Sequence, residues 1–313
     1  MQFLRSVLAQ NEAVTPGTVV TYDLPVNPLS HLVLTFNFLA VENLTTNAEI
    51  LAAVESIRVL HRGSSVISIS QADMWALSAI LLGRGGIRGN HITDDNSPQF
   101  ITMMIPFGRV PFNPDECFPA TRSGELQLQI TYAASFTGFD NVEIQAETVE
   151  LLGAKPVQYL KCTSLSLTPT VGDNDLDLPI GNDLVGIMLF STTVPTLISP
   201  TASANQVKVL IDNVEKYYSQ ANWESLRGDM QWRCGRQLGY NPAIHRLIEG
   251  TPNVIGRIQQ VTDELENYTF LDFDPLLDSA FLLKTAGLSS VKLRINAEDT
   301  NVVRAVPCEL VRI

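Results

Sequence analysis

The 313-residue chain is 45% hydrophobic and 17% charged, a balance that excludes disorder and supplies enough apolar residues for two cores. Its net charge is −12, both halves are acidic, and no Lys/Arg cluster is interleaved with aromatics, which excludes tight nucleic-acid binding. No apolar run reaches the roughly 18 residues of a membrane helix, and Met1–Asn11 lacks the pattern of a secretion signal, so a cytoplasm is the expected place of synthesis.

Residues 1–17 are expected to form an N-terminal arm. Phe3, Leu4, Val7 and Leu8 fall on one helical face, suited to swapping onto a neighbour or touching lipid, with a frayed terminus as the alternative. Asp23-Leu24-Pro25 then leads into the apolar stretch HLVLTFNFLAV, and SIRVLHRGSSVISIS follows with the period of two that marks half-buried strands. Ser70 precedes QADMWALSAILL with the chemistry of a helix cap, and Met74, Leu77, Ile80 and Leu81 share one helical face that would pack over a sheet end. Alternation returns in LQLQI and VEIQAETVEL, between turn clusters TDDNSP, PFNPDE and TGFDN. Gly153 and Pro156 then mark a boundary, which places a first sandwich at 18–153, a linker at 154–161 and a second sandwich at 162–313.

The second half repeats the first in order. Asp177-Leu178-Pro179 leads into LVGIMLFSTTV, at an offset of about 154 residues from the first such segment. QVKVLIDNVEKYYSQANWESL matches the strand, strand and helix of the first half, and aligns Ser219-Gln220-Ala221 with the Ser70-Gln71-Ala72 cap. Phe273-Asp274-Pro275 answers Phe112-Asn113-Pro114, Val291, Leu293 and Ile295 answer Leu126, Leu128 and Ile130, and the closing segment CELV answers VELL. Collinear landmarks of this kind predict an all-β protein of two tandem β-sandwiches related by internal duplication, each with a short inserted helix.

Two similar sandwiches, joined by a short linker and each interrupted by a helix, resemble the double jelly-roll major capsid proteins of tailless, membrane-containing icosahedral bacteriophages. The resemblance covers nearly the whole chain and rests on the paired Leu-Pro segments, the paired Ser-Gln-Ala segments and the paired closing strands. It implies jelly-roll topology and a homotrimer that forms a pseudo-hexameric capsomer. It further implies assembly with neighbouring capsomers into a virion shell, with minor capsid and vertex proteins and an internal viral membrane as further partners. The rival reading is a tandem-sandwich binding module, spike or lectin-like, with Tyr217, Tyr218, Trp223 and Trp232 as its ligand surface.

No catalytic, cofactor-binding or metal residue is expected. His31, His61, His91 and His245 have no nucleophile elbow beside them, and the Gly-rich LLGRGGIRGNH lacks the ending of a phosphate loop and reads as a loop after a helix. Asp94/Asp95 and Asp115/Glu116 read as solvated turn acids rather than a glycosidase pair. Asp173, Asp175 and Asp177 have the spacing of a calcium loop, but Leu178 and Leu184 stand where such a loop needs Gly and Glu. Asn43 and Asn267 read as turn residues, and Cys117, Cys162, Cys234 and Cys308 as reduced core thiols.

Overall fold

Period-two segments need partners for their backbone groups and a common side on which to bury every second residue. A computed structural model, which describes residues 2–41, 47–83, 87–89, 97–195, 201–234, 245–247, 255–257 and 265–313, shows how they find both. In the first half the strands are β1 (Gln2–Ala13), β2 (Val19–Asp23), β3 (Leu29–Ala40), β4 (Val54–His61), β5 (Ser64–Ile69), β6 (Ile87–Gly89), β7 (Pro98–Pro106), β8 (Leu126–Tyr132) and β9 (Phe139–Leu152). Helix α1 (Asn47–Leu51) follows β3, and α2 (Gln71–Leu82) follows β5. The second half contributes β10 (Gln158–Thr163), β11 (Leu165–Leu167), β12 (Gly172–Asp177), β13 (Asp183–Ser191), β14 (Gln206–Ile211), β15 (Val214–Glu215) and β16 (Ala221–Asn222). After α3 (Trp223–Cys234) come β17 (His245–Leu247), β18 (Ile255–Arg257), β19 (Tyr268–Asp272), β20 (Val291–Ala297) and β21 (Val303–Arg312).

The pairing within each half is that of a jelly roll. In the first, β1 pairs with β9, β9 with β3 and β3 with β7, while β2 pairs with β8, β8 with β4 and β4 with β5. First strand therefore meets last and second meets next to last. In the second half β10-β21-β13-β19 and β12-β20-β14-β15 reproduce both sheets in the same order. Each half carries its long helix at the same step, after the fifth strand of the roll.

The two rolls are not separate beads. β10 runs parallel to β5, with Cys162 opposite Ile67 and Thr163 opposite Ser68, so one sheet runs continuously as β19-β13-β21-β10-β5-β4-β8-β2. The β13 and β21 strands consequently bury both faces. Leu184, Ile187 and Leu189 enter the core of the second roll, whereas Val185 and Met188 enter the large core shared with the first. Burial on both faces accounts for the nearly unbroken apolar run of LVGIMLF. Gly186 sits where β13 passes the Phe270 ring so closely that a Cβ would lie 2.2 Å from its Cζ.

Several expected features are corrected. Residues 2–13 form the edge strand β1 along β9 and not a helical or frayed arm, because the 14-residue β9 offers a full row of backbone partners. The expected linker is shorter than 154–161, since the chain is already β10 from Gln158. Ser70 does cap α2, accepting from the Asp73 amide at 3.1 Å, but α2 is buried nearly all round and not on one face, because both rolls cover it. Ser219 caps nothing: Ala221 and Asn222 are drawn into pairing with Val207 and Gln206 of β14, which delays α3 to Trp223.

Candidate functional site

Two arginines bridge the rolls, and a third holds the segment that one of them reaches. Capping by Ser70 places Asp73 in the first turn of α2, where the helix dipole favours a carboxylate. Arg304 of β21 reaches it with two hydrogen bonds, Nη2 to Oδ1 at 2.7 Å and Nε to Oδ2 at 3.0 Å, and Tyr268 donates its hydroxyl to Oδ1 at 3.0 Å. Burial, and then the Asp73 charge, push the Tyr268 phenol far above its usual range, so it remains a donor. The Arg304 guanidinium also lies 3.8 Å over the Phe190 ring.

Arg109, in the loop after β7, donates Nε to Glu116 at 2.9 Å and Nη1 to Ser279 at 3.0 Å, and pairs with Asp274 across the seam. Arg233, in the last turn of α3, binds both oxygens of Asp272 and donates to the Asp274 carbonyl at 2.8 Å. Glu116, Asp274 and Asp73 are all buried, and such charges are tolerated inside only when paired in this way. The helix ends close the joint. Gly83 caps α2 at φ 66, and a Cβ there would lie 2.9 Å from the Arg233 carbonyl of α3. Trp223 and Leu226 of α3 enter the second core while Met230 and Cys234 enter the shared one, so a single helix anchors in both.

The residues singled out for other chemistry do not converge. His31 is buried, its ring set against Phe112 and its Nδ1 2.9 Å from Ser30 Oγ; burial, with Arg5 nearby, lowers its pKa to about 4. His61 packs edge-on to Phe118. His91, Asn43, Asp94, Asp95 and residues 84–86 and 90 of the Gly-rich stretch lie outside the described residues, as does the side chain of His245, whereas Ile87–Gly89 of that stretch forms β6 and not a loop. Glu116 is a buried ion-pair partner rather than a solvated turn acid, because Arg109 is folded against it. Asp173 accepts from Asn296 at 2.7 Å and Asp175 from Arg294 at 2.6 Å, so these carboxylates are held along β12 by cross-strand partners and do not turn towards one cation. Among the described residues no group of three metal-ligating side chains gathers, and no helix is long and apolar enough to cross a membrane. Trp223 is 1% exposed and Tyr218 half-buried against Phe273, so with Tyr217 they present no common ligand face; the Trp232 side chain lies outside the described residues.

The exposed apolar surface lies elsewhere. Phe3, Leu4 and Val7 stand out from the edge strand β1, Phe3 at 64% exposure, and the Phe3 ring meets that of Phe112 at 5.5 Å. Phe112 is held at φ 66, a backbone region that bulky residues seldom adopt. Sequence reasoning read Phe3, Leu4 and Val7 as a contact surface but placed them on a helix.

No known protein family and no curated protein matches the sequence. Solved structures do. The major capsid protein of Sulfolobus turreted icosahedral virus superposes at a TM-score of 0.71 and 11% identity, over 100% of this chain and 97% of that one. The major capsid protein of bacteriophage PM2 gives 0.64 at 11% identity, over 99% and 98%, and the PBCV-1 virus capsid 0.64 at 9%, over 99% and 94%. The chain has the double jelly-roll fold of these capsid proteins.

Within the double jelly roll, the duplication extends to side chains. Glu150 of β9, buried, accepts from Asn27 at 2.7 Å and from Ser6 at 2.7 Å. Glu309 of β21, buried at the matching place, accepts from Asn182 at 2.8 Å and from Lys161 at 2.9 Å. Each asparagine lies just beyond the Leu-Pro segment of its half, and each glutamate lies in the closing strand. The two segments were legible as repeats, but nothing in the sequence showed that they touch.

Proposed function

We propose that this chain is a viral major capsid protein, that it acts by assembly and not by catalysis, and that its place is the virion shell. The observation that carries the reading is two jelly rolls of identical strand order, β1 to β9 over residues 2–152 and β10 to β21 over residues 158–312, fused through one continuous sheet and superposing end to end on capsid proteins. Three such chains would present six similar rolls and fill a pseudo-hexameric position in a closed lattice. The exposed apolar edge of β1 suits burial against a neighbouring chain, where removing it from water drives association. An internal membrane and minor capsid or vertex proteins complete the proposed set of partners.

Light scattering on the purified protein, with negative-stain images of the same fraction, tests this. A mass of three times the 34.4 kDa chain with hexagonal outlines is expected. A stable monomer at every concentration would overturn it.

A further inference from the structure

Cys162 and Cys308 are far apart in sequence but directly opposite one another in the antiparallel pairing of β10 with β21. Residues so opposed project to the same face of a sheet, with Cα atoms about 4.5 or 5.5 Å apart depending on the hydrogen-bonding class of the pair. Both values lie within the roughly 4.4–6.8 Å that a disulfide spans. The lateral row continues as Gly186 of β13 beside Cys308 and Ile67 of β5 beside Cys162, so the pair lies in the interior of the sheet with a strand on either side. Both sulfurs are free thiols with no exposure to solvent, and no other two of the four cysteines are in strand register.

We propose that Cys162 and Cys308 are a reversible redox pair, which closes to a disulfide when the folded protein meets a two-electron oxidant of the peroxide class. The peroxide transfers a hydroxyl to one sulfur, giving a sulfenic acid and releasing one water; the second thiol then displaces that hydroxyl as a second water, and the S–S bond forms. A thiol reductant reverses the step by exchange. The Cys162 thiol is held protonated by its contact with Cys308 and by burial, so closure is slow and waits on local opening of the sheet. The bond would join the first strand of the second jelly roll to its last, at the strand where the two rolls meet, and enclose residues 162–308 in one covalent loop. A protein made in a reducing cytoplasm and later carried into an oxidising medium would thereby gain a staple only after folding.

The test uses the full-length protein, purified under reductant, treated for hours with hydrogen peroxide, then denatured in iodoacetamide and weighed. The expected result is two alkylated cysteines in place of four, a single linked fragment pair containing Cys162 and Cys308, and a return to four after dithiothreitol. Thermal unfolding of the oxidised form should shift upward by roughly 5 °C. Four alkylated cysteines, or a link that includes Cys117 or Cys234, overturns the proposal. Cys308→Ser should abolish the link. Should that variant fail to fold, the double variant Cys117→Ser, Cys234→Ser retains only the proposed pair and must still lose both thiols on oxidation.

Discussion

The sheets β1-β9-β3-β7 and β10-β21-β13-β19 occupy the same place in their respective rolls, yet they live in different surroundings. The first ends in an edge strand whose Phe3, Leu4 and Val7 face outward. The second is an inner layer, with the core of its own roll on one side and the shared core on the other. A duplicated topology therefore does not duplicate tolerance to change: the same strand position is a sheet edge in the first roll, at β1, and is flanked by a strand on either side in the second, at β10.

That contrast can be broken most severely at α3. Trp223→Ala should cost about 3–5 kcal/mol in denaturant unfolding, because it empties a fully buried site in the second core. An unfolding loss below about 1 kcal/mol would show that the second roll does not depend on this anchor.

Acid should act on the first roll instead. The His31 pKa is lowered by burial to about 4 from an ordinary 6.5, so between those values the unfolded chain binds the proton and the folded one does not. Stability is complete above pH 6.5 and falls as pH drops towards 4, by about 3 kcal/mol at most. His31→Gln should flatten this part of the pH profile, whereas substitutions in the second roll should leave it in place.

At the seam, Asp73→Asn should cost about 2 kcal/mol, less than a fully enclosed pair, because the Arg304 side chain is 25% exposed and retains its seat over Phe190. Hydrogen exchange should then rise in α2 and β21 together if the seam is one cooperative unit. Phe3→Ser should alter unfolding by less than about 0.5 kcal/mol, since the side chain is already in water, yet weaken association of chains in light scattering.

Much of this architecture was readable where one residue type repeats with a regular period. LQLQI and VKLRI alternate without interruption, and the structure buries every second residue of β8 and β20. Ser70 capped its helix as its chemistry required. β1 was misread because Phe3-Leu4 and Val7-Leu8 come as adjacent pairs, which is a helical spacing, while the strand is held by backbone pairing that a one-dimensional pattern does not display. Ser219 misled for a related reason, since the edge of β14 competed for the same residues. The seam left no local trace: Asp73 and Arg304, or Arg109 and Asp274, are lone charges in unrelated segments until the rolls close on one another.

The parallel pairing of β10 with β5 also imposes an order of events on the nascent chain. β5 belongs to the half made first, and until β10 arrives its outer edge is an open template for any passing strand. A ribosome that stalls near the boundary would therefore release a first roll with one more unsatisfied edge than the full chain has, and such a fragment should aggregate where the full chain stays dispersed.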